Sequence, residues 1–441
     1  MSEALELVRE PVPATDPAPA GRKRIVIIGA GFAGMAAAQA LRKCDAQVTL
    51  IDRRNHHIFQ PLLYQVATAV LSSAEIAAPI RKLTEDQKNL SVLWGEVKNV
   101  DLKARCVEVD CNTIPLKKLT FDYLIVATGV QPSYFGHDEF ARYAPTLKTI
   151  TDAELIRTKL LTAYEMAEMT DDAEERARQM TFVLVGAGPT GVELAASIAQ
   201  LATVTLRSNF RNIDPAKTSI LLLEGGARVL PTYAESLSKK AARRLERLGV
   251  TVMTGAMVEK VNEQGVTVAG KLIRTATVLW TAGVSASPIV KMVGVGTDRA
   301  GRACIGPFMN VPDQRGIFVV GDASSAMQNG RAVPGVAQAA MQQGRYVGRL
   351  IARELKGKSQ PPPFRYFDKG NMAVVGKNFA ILESGRIRMS GFFAWLAWAF
   401  VHIIALPHRQ NRMRVRKQWL WSYFTGQRSS LLMSEGPHRV K

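Results

Sequence analysis

Ile25-Val26-Ile27-Ile28-Gly29-Ala30-Gly31-Phe32-Ala33-Gly34 decides the fold. Four β-branched residues in a row read as a strand buried on both faces, and the glycine-rich turn after them opens an Ala-rich helix over Met35 to Leu41. A second strand, Val48-Thr49-Leu50-Ile51, ends on Asp52, 18 residues past the last glycine. Strand, glycines, helix, strand and acid in this order form a dinucleotide-binding fingerprint. Gly29 makes the tight turn, Gly31 lets the backbone approach a pyrophosphate, Gly34 permits close helix packing, and Asp52 accepts a ribose hydroxyl.

The pattern recurs. Thr181 to Val185 leads into Gly186-Ala187-Gly188-Pro189-Thr190-Gly191, with Val192-Glu193-Leu194 entering the helix, and Ile220-Leu221-Leu222-Leu223 leads to Glu224. That acid lies 33 residues past Gly191, which places an insertion around Arg207 to Ser219. Glu224 accepts a 2′-hydroxyl and repels a 2′-phosphate, and Gly225-Gly226 stand where an arginine would favour NADPH, so the second site reads as an NADH site. Two fingerprints imply two dinucleotides, most economically a flavin at the first and a nicotinamide at the second, with hydride transfer between them. Three more strands put small residues just past their C-terminal ends, where open α/β sheets bind ligands: Tyr123 to Thr128-Gly129, Val278 to Ala282-Gly283, and Ile317 to Gly321-Asp322. The fold class is α/β, with two Rossmann-like dinucleotide-binding domains.

Composition agrees. A chain of 441 residues, 47% hydrophobic and 22% charged, is neither disordered nor a small disulfide scaffold, and no apolar run is long enough for a spanning helix. Cys44, Cys106, Cys111 and Cys304 form no CxxC pair, and the six histidines show no ligand spacing, so no metal site is expected. Residues 1 to 21, with four prolines, read as an extended tail. The net charge of +19 calls for an anionic partner. Its location decides which. After the Pro361-Pro362-Pro363 linker come four of the six tryptophans. Gly391 to Leu406, 16 largely apolar residues, forms a helix of about 24 Å, short of a bilayer core of about 30 Å. Arg409, Arg412, Arg414, Arg416 and Lys417 follow, then Trp419, Trp421, Tyr423 and Phe424. This is a helix pair suited to lie in one leaflet, with residues 391–425 on anionic lipid. No nucleic-acid motif accompanies the charge.

The run Asp52-Arg53-Arg54-Asn55-His56-His57-Ile58-Phe59-Gln60-Pro61-Leu62-Leu63-Tyr64-Gln65-Val66-Ala67-Thr68 resembles the type II, non-proton-pumping NADH:quinone oxidoreductases of bacterial respiratory chains. So do Ala337-Gln338-Ala339-Ala340-Met341-Gln342, similar to the family's AQ-x-A-x-Q motif, and the tail from Gly391 through Trp421-Ser422-Tyr423. The resemblance extends from about residue 23 to 432. It implies noncovalent FAD at Gly29, Gly31, Gly34, Asp52 and Arg53, lined also by Thr128, Gly129, Gly321, Asp322, Ala337 and Gln338. It implies NADH at Gly186, Gly188, Gly191, Glu224 and Gly283.

By the same resemblance Glu193 stands near flavin and nicotinamide, Gln338 and Gln342 share a helical face toward the quinone, and Lys377 lies close to the quinone pocket. The implied activity is electron transfer from NADH through FAD to a membrane quinone. The implied setting is the cytoplasmic face of the bacterial inner membrane, with a homodimer as the assembly. The division drawn from motifs is a tail over 1–21, an FAD domain over 22–145 and 286–366, an NADH domain over 146–285, and a monotopic membrane-anchoring domain over 367–441. Two alternatives stand: a sulfide:quinone oxidoreductase, which needs reactive cysteines near the flavin, and a non-catalytic NADH-sensing flavoprotein.

Overall fold

The block Lys23–Ile28 is a strand whose last four residues are buried. It pairs in parallel with Ala46–Asp52 on one side and Tyr123–Val126 on the other. Leu90–Trp94 and Ile317–Val319 complete a five-stranded parallel sheet. Relative to the first strand the order reverses between Lys23–Ile28 and Tyr123–Val126. That switch point is where such sheets bind ligands, and both Gly29 and Thr128-Gly129 lie at it. The helix Phe32–Ala40 starts at the fingerprint and packs against the long helix Ala337–Glu354. The two backbones nearly touch: a Cβ added at Gly344 would stand 2.0 Å from the Ala33 carbonyl oxygen, so only glycine fits.

The computed structural model describes residues 21–111 and 116–433, and the expected tail lies outside that range except for Gly21. The chain divides into two compact units. The first gathers the chain up to His57, Pro79–Val130 and Ser285–Phe367; the second gathers Ile58–Ala78, Gln131–Val284 and the chain from Asp368 onward.

In the second unit Thr181–Val185, Ser219–Glu224, Val250–Thr254 and Thr277–Trp280 form a four-stranded parallel sheet with the same switch point beside Gly186. A π-helical turn, Leu201–Thr205, extends the fingerprint helix, and the insertion after it forms a loop and a 3-10 turn, Pro215–Lys217. Asn371–Val374, Ala380–Ser384 and Ile387–Gly391 make an antiparallel sheet that feeds the aromatic helix Phe392–Ala405. Leu406-Pro407 then turns the chain into the basic helix Arg409–Thr425, closed by Gly426 in the left-handed conformation that suits a helix end.

The motif-based division treats 367–441 as a domain of its own, whereas contacts group its described part with the second fingerprint. The buried Asn411 ties it also to Ile58–Ala78 of the same unit: its amide donates to the carbonyls of Glu75 and Ala77, each at 2.9 Å, and so caps the short helix Ser73–Ile76.

Candidate active site

In the first unit Gly29 holds a φ of +101°, and any Cβ there would lie 2.5 Å from the Ala127 carbonyl oxygen. A Cβ on Gly34 would lie 1.8 Å from the Gly29 oxygen, while the space over Gly31 is open. Asp52 is buried, and its two oxygens accept the Ala30 and Arg54 N–H groups at 2.7 and 2.8 Å. One lone pair on each oxygen therefore shapes the loop, and the others remain for a ribose. The guanidinium beside Asp52 belongs to Arg54, 3.8 Å away, while Arg53 points to solvent. The Thr128 hydroxyl, the Arg54 Nε and the His56 Nε2 are buried with no hydrogen-bond partner among the described residues. Open space over the loop and orphaned polar atoms at the switch point fit an FAD, which would satisfy them.

The second unit repeats the design. Glu224 accepts the Ala187 and Gly226 N–H groups at 2.7 and 2.8 Å, and Gly188 faces open space. Gly283 packs against protein: a Cβ there would meet the Phe135 ring at 2.5 Å.

A cavity of about 200 Å³ lies wholly within the second unit. Tyr64, Glu193, Gln200, Lys377 and Arg428 line it together with Trp395, Trp398 and Trp419. Glu193 enters from the fingerprint helix Pro189–Gln200 and accepts one N–H, from Val374 at 3.3 Å. Burial outweighs that bond and pushes its carboxyl up to about 8. Lys377 is exposed at the rim, its ammonium donating to the Tyr423 carbonyl at 2.5 Å and standing 4.2 Å from that ring's centre. A cation there suits the C-terminal end of the basic helix. The Trp398 and Trp419 rings stack at 5.1 Å, so the aromatic and basic helices share the wall.

Glu193, expected near flavin and nicotinamide, and Lys377, expected close to the quinone pocket, both line this cavity, whereas Gln338 and Gln342, expected at the quinone, belong to the long helix of the first unit. The Gln342 amide is committed to the Phe367 backbone, donating to its carbonyl at 2.8 Å and accepting its N–H at 2.9 Å. Its neighbour Gln343, missed in the sequence, is buried and accepts the Gly321 N–H at 2.6 Å, fixing the turn that carries Asp322. The signal was present: Ala339, Ala340, Gln343, Gly344, Val347, Gly348 and Ile351 form one buried stripe at helical spacing.

Cys44, Cys106 and Cys111 are buried free thiols, and burial pushes the first two up in pKa, the reverse of what a reactive thiol needs. Only Cys304 is exposed. The sulfide alternative finds no support here.

Residues 23–344 match the family described as pyridine nucleotide-disulphide oxidoreductase. Two proteins of Mycobacterium tuberculosis named type II NADH:quinone oxidoreductase are similar throughout. NdhA is 43% identical, covering 94% of this chain and 90% of its own, and Ndh is 42% identical, covering 95% and 91%. Among solved structures, NDH2 of Plasmodium falciparum in complex with NADH matches in fold with a TM-score of 0.85 at 20% identity, over 93% of this chain and all of that one. With two closed fingerprints in place and relatives of this similarity along nearly its whole length, the chain belongs to the type II NADH:quinone oxidoreductases, within the pyridine nucleotide-disulphide oxidoreductase family.

Proposed function

We propose that this protein oxidises NADH, uses noncovalent FAD as its two-electron carrier, and reduces a quinone that enters the cavity of the second unit from a membrane surface. The observation that carries the reading is that cavity: it joins Glu193 of the fingerprint helix to tryptophans of the two C-terminal helices. When bound, FAD supplies a ring that takes up a hydride and gives up electrons in pairs.

The chain's own residues do the rest. Gly31 and Asp52 seat the flavin nucleotide's pyrophosphate and ribose, and Gly188 and Glu224 seat those of NADH, so positioning supplies much of the rate. Glu193, protonated at neutral pH, offers a donor beside the quinone. Gln338 serves the flavin side of the reaction, with Gln342 as a positioning residue through Phe367. Lys377 holds the end of the basic helix at the cavity rim.

The aromatic helix has 14 residues, or about 21 Å, and no helix among the described residues is long and apolar enough to cross a membrane. Yet Phe393, Phe400, Trp421 and Phe424 on the two helices are 57 to 80% exposed. A patch of this kind, flanked by Arg409, Arg412, Arg414, Arg416 and Lys417, suits insertion into one anionic leaflet, on the cytoplasmic face of the bacterial inner membrane. Apolar surface left over by the lipid would serve a second copy in a homodimer, which light scattering in detergent measures.

The deciding test is anaerobic. NADH should bleach the flavin absorbance of the detergent-purified protein, and a short-chain quinone should restore it rapidly. Bleaching without recovery would refute the quinone reading, and no bleaching would refute the assignment of the second fingerprint.

A further inference from the structure

Inside the cavity wall runs a chain of hydrogen bonds. The Trp419 indole N–H donates to Gln65 Oε1 at 2.7 Å, and Gln65 Nε2 donates to the Tyr64 phenol oxygen at 2.9 Å. Its direction is fixed chemically. An indole nitrogen only donates, so the Gln65 oxygen must be the end that faces Trp419 and its NH2 must face Tyr64. The Tyr64 oxygen is thereby an acceptor in this bond, and its own proton must be given elsewhere. No acceptor for that proton lies among the described residues. Tyr64 is buried to 6% exposure and lines the cavity. Burial and the nearby Glu193 push its phenol well above its ordinary pKa, so the proton is always present.

Two further contacts keep the arrangement in register. The Arg428 guanidinium donates to the carbonyl of Thr68, and to that of Ser197 at 2.9 Å, on the helices that carry Tyr64 and Glu193. Thr68 and Ser197 share a hydrogen bond between their hydroxyls at 2.7 Å. An unspent donor is thus held in a cavity whose wall also carries Glu193 and the rings of Trp395, Trp398 and Trp419.

We propose that Tyr64 binds the quinone directly, its phenol O–H donating a hydrogen bond to one carbonyl oxygen and aimed there by the Trp419 to Gln65 chain. The inference rests on the reading that quinone enters this cavity. A neutral donor fixed at a carbonyl strengthens its bond as electrons arrive and costs no reorganisation. Because Trp419 belongs to the basic helix, the seating of that helix also sets the aim of the donor.

The test uses oxidised holoenzyme without NADH and follows quenching of tryptophan fluorescence by decylubiquinone, since Trp395, Trp398 and Trp419 line the cavity. Saturable quenching is expected in the native protein. Tyr64→Phe should raise the quinone Kd about fivefold to tenfold, the loss of one buried hydrogen bond. Tyr164→Phe is the matched control: it also deletes a buried phenol, bonded to the Thr218 hydroxyl at 3.0 Å, but lies outside the cavity wall, and should leave Kd unchanged.

Should Tyr64→Phe fail to fold, Gln65→Met, which frees the phenol without removing it, should raise Kd about threefold. A native Kd in Tyr64→Phe, or in Gln65→Met where that variant stands in, overturns the proposal. So does equal weakening in Tyr64→Phe and Tyr164→Phe. Absence of saturable quenching in the native protein removes the quinone from this cavity, and the proposal with it.

Discussion

Glu193→Gln tests the chemistry at its centre. Burial carries the Glu193 carboxyl from an ordinary 4.5 to about 8. At pH 7 about nine in ten copies therefore hold the proton, because one pH unit is a tenfold ratio. The distance between the two values favours the neutral form by about 5 kcal/mol at about 1.36 kcal/mol per pH unit. The folded chain binds this proton more tightly than the unfolded chain, so stability is greatest below about 4.5, falls as pH rises, and has lost its full increment above about 8.

Glutamine mimics the neutral carboxyl and escapes that loss. Glu193→Gln should melt with the native protein at pH 5 and higher than it at pH 9, by on the order of 5 °C. Reoxidation of the reduced enzyme by quinone, followed anaerobically by stopped flow, should fall through pH 8 in the native protein. In the variant it should be flat and about a hundredfold lower. The other shifted groups around the site lie to either side of this fall. Burial pushes the Tyr64 and Tyr233 phenols upward, brings His402, on the aromatic helix, down to about 4, and lowers the Arg428 guanidinium only to about 9. A variant that still loses rate through pH 8, or gains no stability at pH 9, would refute the assignment of this proton to Glu193.

The cradle itself gives a sharper steric test: Gly34→Ala drives a methyl to 1.8 Å from the Gly29 oxygen, and the purified protein should retain less than half its flavin, read from the absorbance ratio. Glu224→Gln keeps the shape but removes the charge that repels a 2′-phosphate, so the KM for NADH should rise about tenfold and that for NADPH should fall; unchanged discrimination would count against Glu224. Arg428→Met deletes the donors to the Thr68 and Ser197 carbonyls, a loss of about 2 to 4 kcal/mol, and should make the segment after Gly426 sensitive to limited proteolysis. Replacing Phe393, Phe400 and Phe424 by serine should abolish cosedimentation with anionic vesicles while NADH still bleaches the flavin; persistent binding would place the membrane contact elsewhere.

Both nucleotide cradles are legible in the sequence because their signals are local. A strand buried on two faces must be apolar throughout, the turn after it needs glycine where a side chain would strike the next strand, and the acid that closes the loop comes within one βαβ unit. Glu224, delayed by an insertion, still stands at the end of its strand. The cavity is a different case. Trp419 and Gln65 are 354 residues apart, and no periodicity links them.

What the sequence does hold is a debt. Leu63–Ala67 is a five-residue helix buried at every position, and two of its residues, Tyr64 and Gln65, are polar. Burying a phenol and an amide without partners costs several kcal/mol, so partners must exist even where spacing cannot name them. One donor arrives on a helix near the end of the chain, which reads from its composition only as a membrane surface. The same helix thus leaves Trp421 and Phe424 exposed and completes the hydrogen bonding of the cavity with Trp419. Loss of the exposed side chains should weaken binding to anionic vesicles alone, whereas loss of the Trp419 indole N–H should reach the quinone.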